Sequence, residues 1–244
     1  MTNQYKYFVF LLLLIVTATT NAQQQSLDAL VERDIASLVS TYKMLHAAPE
    51  LSHREEKTSA FIAGELRKLG FTVTEHIGKY EHSDWIGYGI VAVMKNGAGP
   101  TVLVRSELDA LPVDEKTGVP YASKVKTKND AGQEVSVMHA CGHDIHMTSL
   151  LGTAKLLVEL KDQWHGTLVM LGQPAEETID GARAVLRDGL YEKIPKPDYA
   201  IALHDDAGLR PSSHHPAPRD SNWGLDLILC RTADGVIGMI LLEE

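Results

Sequence analysis

Apolar residues recur at helical spacing from Ser26 to His46: Leu27, Leu30, Val31, Ile35, Leu38, Val39, Tyr42 and Leu45, with Ser26 in place to cap the start. Ser52-His53-Arg54-Glu55 reads as a capping box that opens a second helix. That helix shows an apolar face of Phe61, Ile62, Leu66 and Leu69, and Gly70 suits its stop. Strand-like runs begin at Phe71 to Val73 and continue at Ile90 to Met94 and Thr101 to Arg105, the last two parted by a Gly/Pro turn over Asn96 to Pro100. Further on, the pattern predicts a helix running to about Leu160 and a strand over Thr167 to Leu171. A short helix over Gly181 to Asp188, closed by Gly189, and a strand over Tyr199 to Leu203 follow. Strands alternating with helices predict an α/β fold on a sheet that is at least partly parallel.

The 244 residues suffice for one large domain or two small ones, and 44% apolar with 23% charged residues is ordinary for a soluble globular chain. A net charge of −9 with no basic block argues against a nucleic-acid partner. The two cysteines, Cys141 and Cys230, make no disulfide framework, and Cys141 is expected to be a free thiol. Residues 1–22 read as an export signal: Lys6, then the apolar run Phe8 to Val16, then Thr20-Asn21-Ala22 as the cleavage site. The run is short of the ~20 residues a spanning helix needs. Cleavage, no lasting membrane anchor, and a periplasmic or secreted location are therefore expected.

The densest chemistry lies in Met138 to His146, where nine residues hold His139, Cys141, His143, Asp144 and His146. Thiol, imidazole and carboxylate so close together suit a divalent metal such as zinc, and Gly142 lets the backbone bend so that Cys141 and His143 face one ion. Polar residues also follow three strand candidates: Asp109, the pair Glu176-Glu177, and His204-Asp205-Asp206. Ligands of open α/β sheets bind beyond the carboxyl ends of strands, so Asp109, Glu176, Glu177 and His204 are expected to converge on Cys141 and His143. In a metallohydrolase one glutamate of the pair would ligate while the other takes a proton from water. Two other readings stay open from the residues themselves. One is a buried cysteine among loop histidines. The other is a cysteine hydrolase with Cys141 as nucleophile.

His139-Ala140-Cys141-Gly142-His143-Asp144 with Gln173-Pro174-Ala175-Glu176-Glu177 resembles the metal-dependent amidohydrolases of the aminoacylase and carboxypeptidase superfamily. The branch is that of hippurate hydrolase, indole-acetyl-amino-acid hydrolase and N-acetyldiaminopimelate deacetylase. His46-Ala47-Ala48-Pro49-Glu50-Leu51-Ser52, Asp109-Ala110-Leu111-Pro112, Pro120-Tyr121-Ala122-Ser123 and Ala202-Leu203-His204 match in the same order. The resemblance implies a three-layer αβα zinc-peptidase-like catalytic domain. It implies two divalent ions, zinc or manganese, and cleavage of the amide bond of N-acyl amino acids or small peptides. Cys141 would bridge the ions, with His143 and Glu177 as ligands and His204 a ligand of the other ion. Glu176 would be the general base, and Asp109, Asp144 and His146 would support the ligands from behind. The family usually has Asp where this chain has Glu107.

The matches run from about residue 30 to 209, and 26–209 is taken as the N-terminal part of the catalytic domain; from 210 to 244 the pattern fails. On this reading the inserted α+β dimerisation and lid domain and a last histidine ligand are lacking, and the second ion has only Cys141 and His204. The Pro/Ser-rich stretch from Arg210 reads as a disordered tail, His214 and His215 included, while Leu225 to Leu229 and Val236 to Leu242 suit strands or small helices. Two accounts of such an ending stand: a frameshift or early stop, which the abrupt change of composition favours, and a naturally shortened relative. The expectation is a chain of low stability with little or no turnover, whereas full-length relatives would be homodimers. The rival is an exported relic that binds metal or acyl-amino acid without turnover.

Overall fold

The computed structural model describes residues 27–206 and the backbone of 224–230. The signal read over 1–22 and the readings of 210–223 and 231–244 lie outside the described residues. The chain divides at Ser40/Thr41 into two compact units. In the first, helix α1 (27–47) begins where the apolar pattern predicts it, with Val31, Ile35 and Val39 exposed.

From Thr41 onward the organising element is a six-stranded sheet in the order β1-β2-β6-β3-β7-β8. The strands are β1 (Thr72–Ile77), β2 (Gly89–Asn96), β3 (Thr101–Glu107), β6 (Gly166–Gln173), β7 (Tyr199–Asp206) and β8 (Gly224–Cys230). β3 runs parallel to both β6 and β7, and the other pairs are antiparallel. Side chains alternate across the sheet. Ile90, Ala92, Met94, Val104, Leu168 and Met170 pack with α2 (Glu56–Lys68) and α3 (His143–Glu159), through Ile62, Leu66, Met147 and Leu150. Val91, Leu103, Val169 and Leu171 face the other way, onto Val185 of α4 (Gly181–Arg187), Leu190 of α5 (Leu190–Lys193) and Ile194. Helices on both faces of one mixed sheet make the three layers expected from the resemblance.

Three details differ from the sequence reading. Helix α2 starts at Glu56, with Glu55 at the cap and no side-chain capping bond. The Ser52 hydroxyl instead donates to Asp109 Oδ2 at 2.7 Å, and Glu55 is fully buried. The strands also run further than their apolar cores, so Glu107 lies in β3 and His204 and Asp205 lie within β7. Finally, a two-stranded hairpin, β4 (Lys126–Lys128) with β5 (Glu134–Ser136), was not predicted, because its short strands alternate polar residues with single Thr and Val positions. β8 falls on the apolar run Leu225 to Leu229. No helix among the described residues is long and apolar enough to cross a membrane.

Because β3, β6 and β7 are parallel neighbours, their carboxyl ends share one edge of the sheet. The chain leaving β3 stays attached to β6 there, the Leu108 N–H donating to Gln173 O at 2.9 Å. The amino end of α3 reaches the same edge.

Candidate metal centre

The centre is built around the first turn of α3. Gly142 precedes the helix at φ +72°, a conformation that favours glycine, and a Cβ there would overlap the Asp205 carboxylate. His143 and His146 are three residues apart and so share a helix face, whereas Asp144 turns away by about a quarter turn. The His143 Nδ1–H donates to the Asp109 carbonyl at 2.8 Å. Its Nε2 points the other way, 3.7 Å from Glu176 Oε2 and 3.8 Å from Glu177 Oε1. His146 Nδ1 meets Glu107 Oε2 at 2.8 Å, and Glu107 is also paired with Arg105 at 2.8 Å. His204 Nδ1 lies 2.6 Å from the Asp205 carbonyl, and its Nε2 is 3.6 Å from Cys141 Sγ. His143 and His204 are thus held through Nδ1 and present Nε2, the arrangement metal-ligating histidines adopt, whereas His146 Nε2 is already met by Asp205, 3.2 Å from its Oδ1 and 3.1 Å from its backbone nitrogen.

Three overlapping sets of donor atoms result, each set lying within 4.8 Å: Cys141, His143 and Glu177; Glu107, His143 and His146; and His146, His204 and Asp205. Cys141 is a free thiol. Glu177 Oε1 and Asp109 Oδ1 are buried oxygens that accept no hydrogen bond. An orphaned carboxylate oxygen beside an imidazole and a thiol fits a thiophilic divalent cation. Burial, resisted by the His143 charge, raises the Glu177 pKa. Burial alone would lower that of His143, but Asp109, Cys141 and Glu107 hold it well above the ordinary value. Burial likewise opposes ionisation of Glu107, yet the bond to His146 and the Arg105 charge bring it down to about 2.

The glutamate pair rides on a constrained loop. Ala175 and Ile179 both have positive φ, +47° and +61°, and a Cβ on Gly181 would overlap the Pro174 carbonyl. Three residues of the Ser52–Glu55 turn hold this loop. The Glu55 carboxylate accepts the Ala175 N–H at 2.7 Å, and His53 Nε2 lies 3.1 Å from both Asp180 oxygens. Ser52 donates to Asp109 Oδ2, which also accepts the Glu177 N–H at 3.0 Å. Burial, helped by the Asp109 charge, pushes Glu55 up to about 8.

Of the residues singled out in the sequence, Cys141, His143, Glu176, Glu177, His204, Asp109 and His146 come together here. Asp144 does not join a donor set. Its Oδ2 instead contacts His46 Nδ1 at 2.7 Å, and His46 Nε2 meets Glu115 at 3.0 Å. The bond to Asp144 outweighs burial and carries His46 up to about 8. His139 is buried with neither ring nitrogen bonded, and burial drops it to about 4. Sequence reasoning missed Asp205, Glu55 and His53 as parts of the site. The signals for them are the Asp205-Asp206 pair beside His204 and the Ser52–Glu55 turn, whose spacing equally fits a helix cap.

An αβα sheet that gathers a thiol, imidazoles and paired carboxylates at one edge defines a metallopeptidase-like domain. Residues 103–219 match the peptidase family M20/M25/M40. It is 40% identical over 169 residues to N-acetyl-L-cysteine deacetylase of Bacillus subtilis, covering 69% of this chain and 36% of that one. It is also 40% identical over 162 residues to hippurate hydrolase of Campylobacter jejuni, covering 66% and 37%. Among solved structures it matches a dinuclear metal binding peptidase of the M20 family from Bacillus subtilis. That match has a TM-score of 0.59 and 32% identity, over 75% of this chain and 45% of that one. The chain thus spans little more than a third of the length of these curated relatives.

Proposed function

We propose that this domain carries metal-dependent hydrolysis of the amide bond of N-acyl amino acids or small peptides, with two divalent ions, zinc or manganese, at the Cys141 cluster. The observation that carries the reading is the placement of Glu176 beside a complete thiol–imidazole–carboxylate set. Its Oε2 is 3.7 Å from the Nε2 of His143, a member of that set with Cys141 and Glu177. Cys141, His143 and Glu177 would hold one ion, and His204 the other with Cys141 between them. Bound there, the ions supply Lewis acidity and lower the pKa of water.

Glu176 is the residue left to move the proton: it accepts one from the attacking water and returns it to the departing amine. Glu177 is tied through its N–H to Asp109, so the adjacent side chains play separate parts. Asp109 and Glu107 orient the rings of His143 and His146. Export is supported by the pattern of residues 1–22.

The test is turnover of N-acetyl and N-benzoyl amino acids by the purified protein supplied with zinc or manganese. Turnover that a chelator abolishes, and that Glu176→Gln abolishes while metal content is kept, supports the reading. Turnover that survives chelation would refute it and favour Cys141 as a nucleophile. Tight binding of metal and acyl-amino acid without turnover would favour a binding protein.

A further inference from the structure

We propose that His53 is a positioning residue for Glu176, holding through Asp180 the turn that presents this carboxylate. The inference rests on the reading of Glu176 as the general base and adds the group that keeps it in place.

Four observations carry it. First, the turn that follows Glu176 is closed and strained. The Ile179 N–H donates to the Glu176 carbonyl at 2.8 Å. Ile179 is β-branched yet has φ +61°, and it is half exposed, so packing does not account for its conformation. Such a residue persists only where its neighbours fix it. Second, the next residue is anchored. Asp180 precedes α4, where an aspartate side chain ordinarily caps the helix, but it makes no capping bond. Its carboxylate instead accepts from Thr178 Oγ1 at 2.8 Å and from His53 Nε2, which lies 3.1 Å from each oxygen.

Third, the His53 ring is itself fixed. His53 is buried, its backbone has φ +65°, and its Nδ1 is buried without a partner, so the bond to Asp180 is what its ring makes. Trp85 stacks on it with centroids 3.8 Å apart and planes 24° apart, and Tyr80 meets it edge-on at 4.8 Å. Fourth, the same two aromatic residues pack against Ala175 and Ala184, which flank the turn in the chain. The neighbouring metal ligand has a separate anchor, because the Glu177 N–H donates to Asp109 Oδ2 at 3.0 Å. Loosening Asp180 therefore frees the turn at Glu176 while Glu177 stays tethered.

The experiment is amide hydrogen exchange over residues 175–181 of the purified, zinc-supplied chain. Zinc content and turnover of N-acetyl amino acids are measured on the same samples. His53→Phe keeps a ring beside Trp85 and removes the bond to Asp180, and Asp180→Ala removes that bond from the less buried side. The expected result in both is exchange of the Ile179 N–H at least about tenfold faster, with zinc content unchanged. kcat falls by about tenfold to a hundredfold while KM is unchanged. His53→Gln, which returns a donor near the Nε2 position, recovers most of the protection and rate. Circular dichroism reports folding. Wild-type exchange in folded His53→Phe and Asp180→Ala would overturn the inference, with or without turnover. Loss of zinc from either folded variant would overturn it too, by making the clamp a support of the metal ligands. Faster exchange with kcat unchanged, where Glu176→Gln is inactive, would overturn it and leave the reading of Glu176 intact. Turnover that survives Glu176→Gln would overturn both together. In a chain without turnover, exchange and zinc content decide the matter by the same criteria.

Discussion

Replacing Glu55 with Gln changes one proton and almost no volume, at a residue with no exposed surface. Glu55 Oε1 accepts the Ala175 N–H, while Oε2 is buried and unbonded. An ionised carboxylate in such a place is costly, and burial followed by the Asp109 charge pushes its pKa from 4.5 to about 8. Because the folded value is raised, this group's favourable contribution is complete below pH 4.5. It is lost progressively as pH rises from there through about 8. At about 1.36 kcal/mol per pH unit, the loss over that window is about 5 kcal/mol. Glutamine keeps an acceptor for Ala175 and never ionises. Glu55→Gln is therefore expected to match the wild type near the bottom of the window and to exceed it by several kcal/mol above pH 8. The assay is urea denaturation of both proteins at a series of pH values, reading the difference in unfolding free energy. Parallel pH profiles would refute the reasoning, because they would mean that Glu55 exchanges no proton on folding. Glu55→Ala is the contrasting case. It leaves the Ala175 N–H buried without a partner, at a cost of about 1–3 kcal/mol before any cavity is counted.

His46 bridges Asp144 and Glu115 with a pKa raised to about 8 from 6.5, so its contribution of about 2 kcal/mol is present below pH 6.5 and lost as pH rises through 8. In NMR a histidine signal should titrate near that value and disappear in His46→Gln; its absence from the wild-type spectrum would contradict the pairing. Gly142→Ala forces a Cβ onto the Asp205 carboxylate at φ +72°, and should weaken metal binding in dialysis by tenfold or more, while Gly132→Ala, at φ +74° but with no atom near its Cβ, should leave metal binding unchanged. Equal metal content in the two variants would sink that argument.

What the sequence reveals here depends on how far apart the partners are. Cys141, His143 and His146 are legible because they lie in one short segment, the Gly142 bend followed by the first turn of α3, whatever the rest of the chain does. Asp144 sits in the same short motif, yet its position in that turn sends it to His46 instead. Glu176, Glu177 and His204 are legible at one remove, through the rule that ligands gather at strand carboxyl ends. That rule holds here because β3, β6 and β7 are the parallel part of the sheet. Glu55 could not be read this way. Its bond to Ala175 joins residues 120 apart in the chain, and its spacing from Ser52 satisfies a capping box just as well. Asp205 was hidden because the apolar run of β7 stops at Leu203, so the strand seemed to end before the carboxylate that it holds in place.

The central claim is that the Cys141 sulfur is a metal ligand alongside His143 and Glu177. X-ray absorption at the zinc edge of the zinc-loaded protein tests it most directly. The account predicts a sulfur neighbour at about 2.3 Å with nitrogen and oxygen at about 2.0–2.2 Å, and loss of the sulfur shell in Cys141→Ser. A spectrum fitted by nitrogen and oxygen alone in the wild type would contradict it.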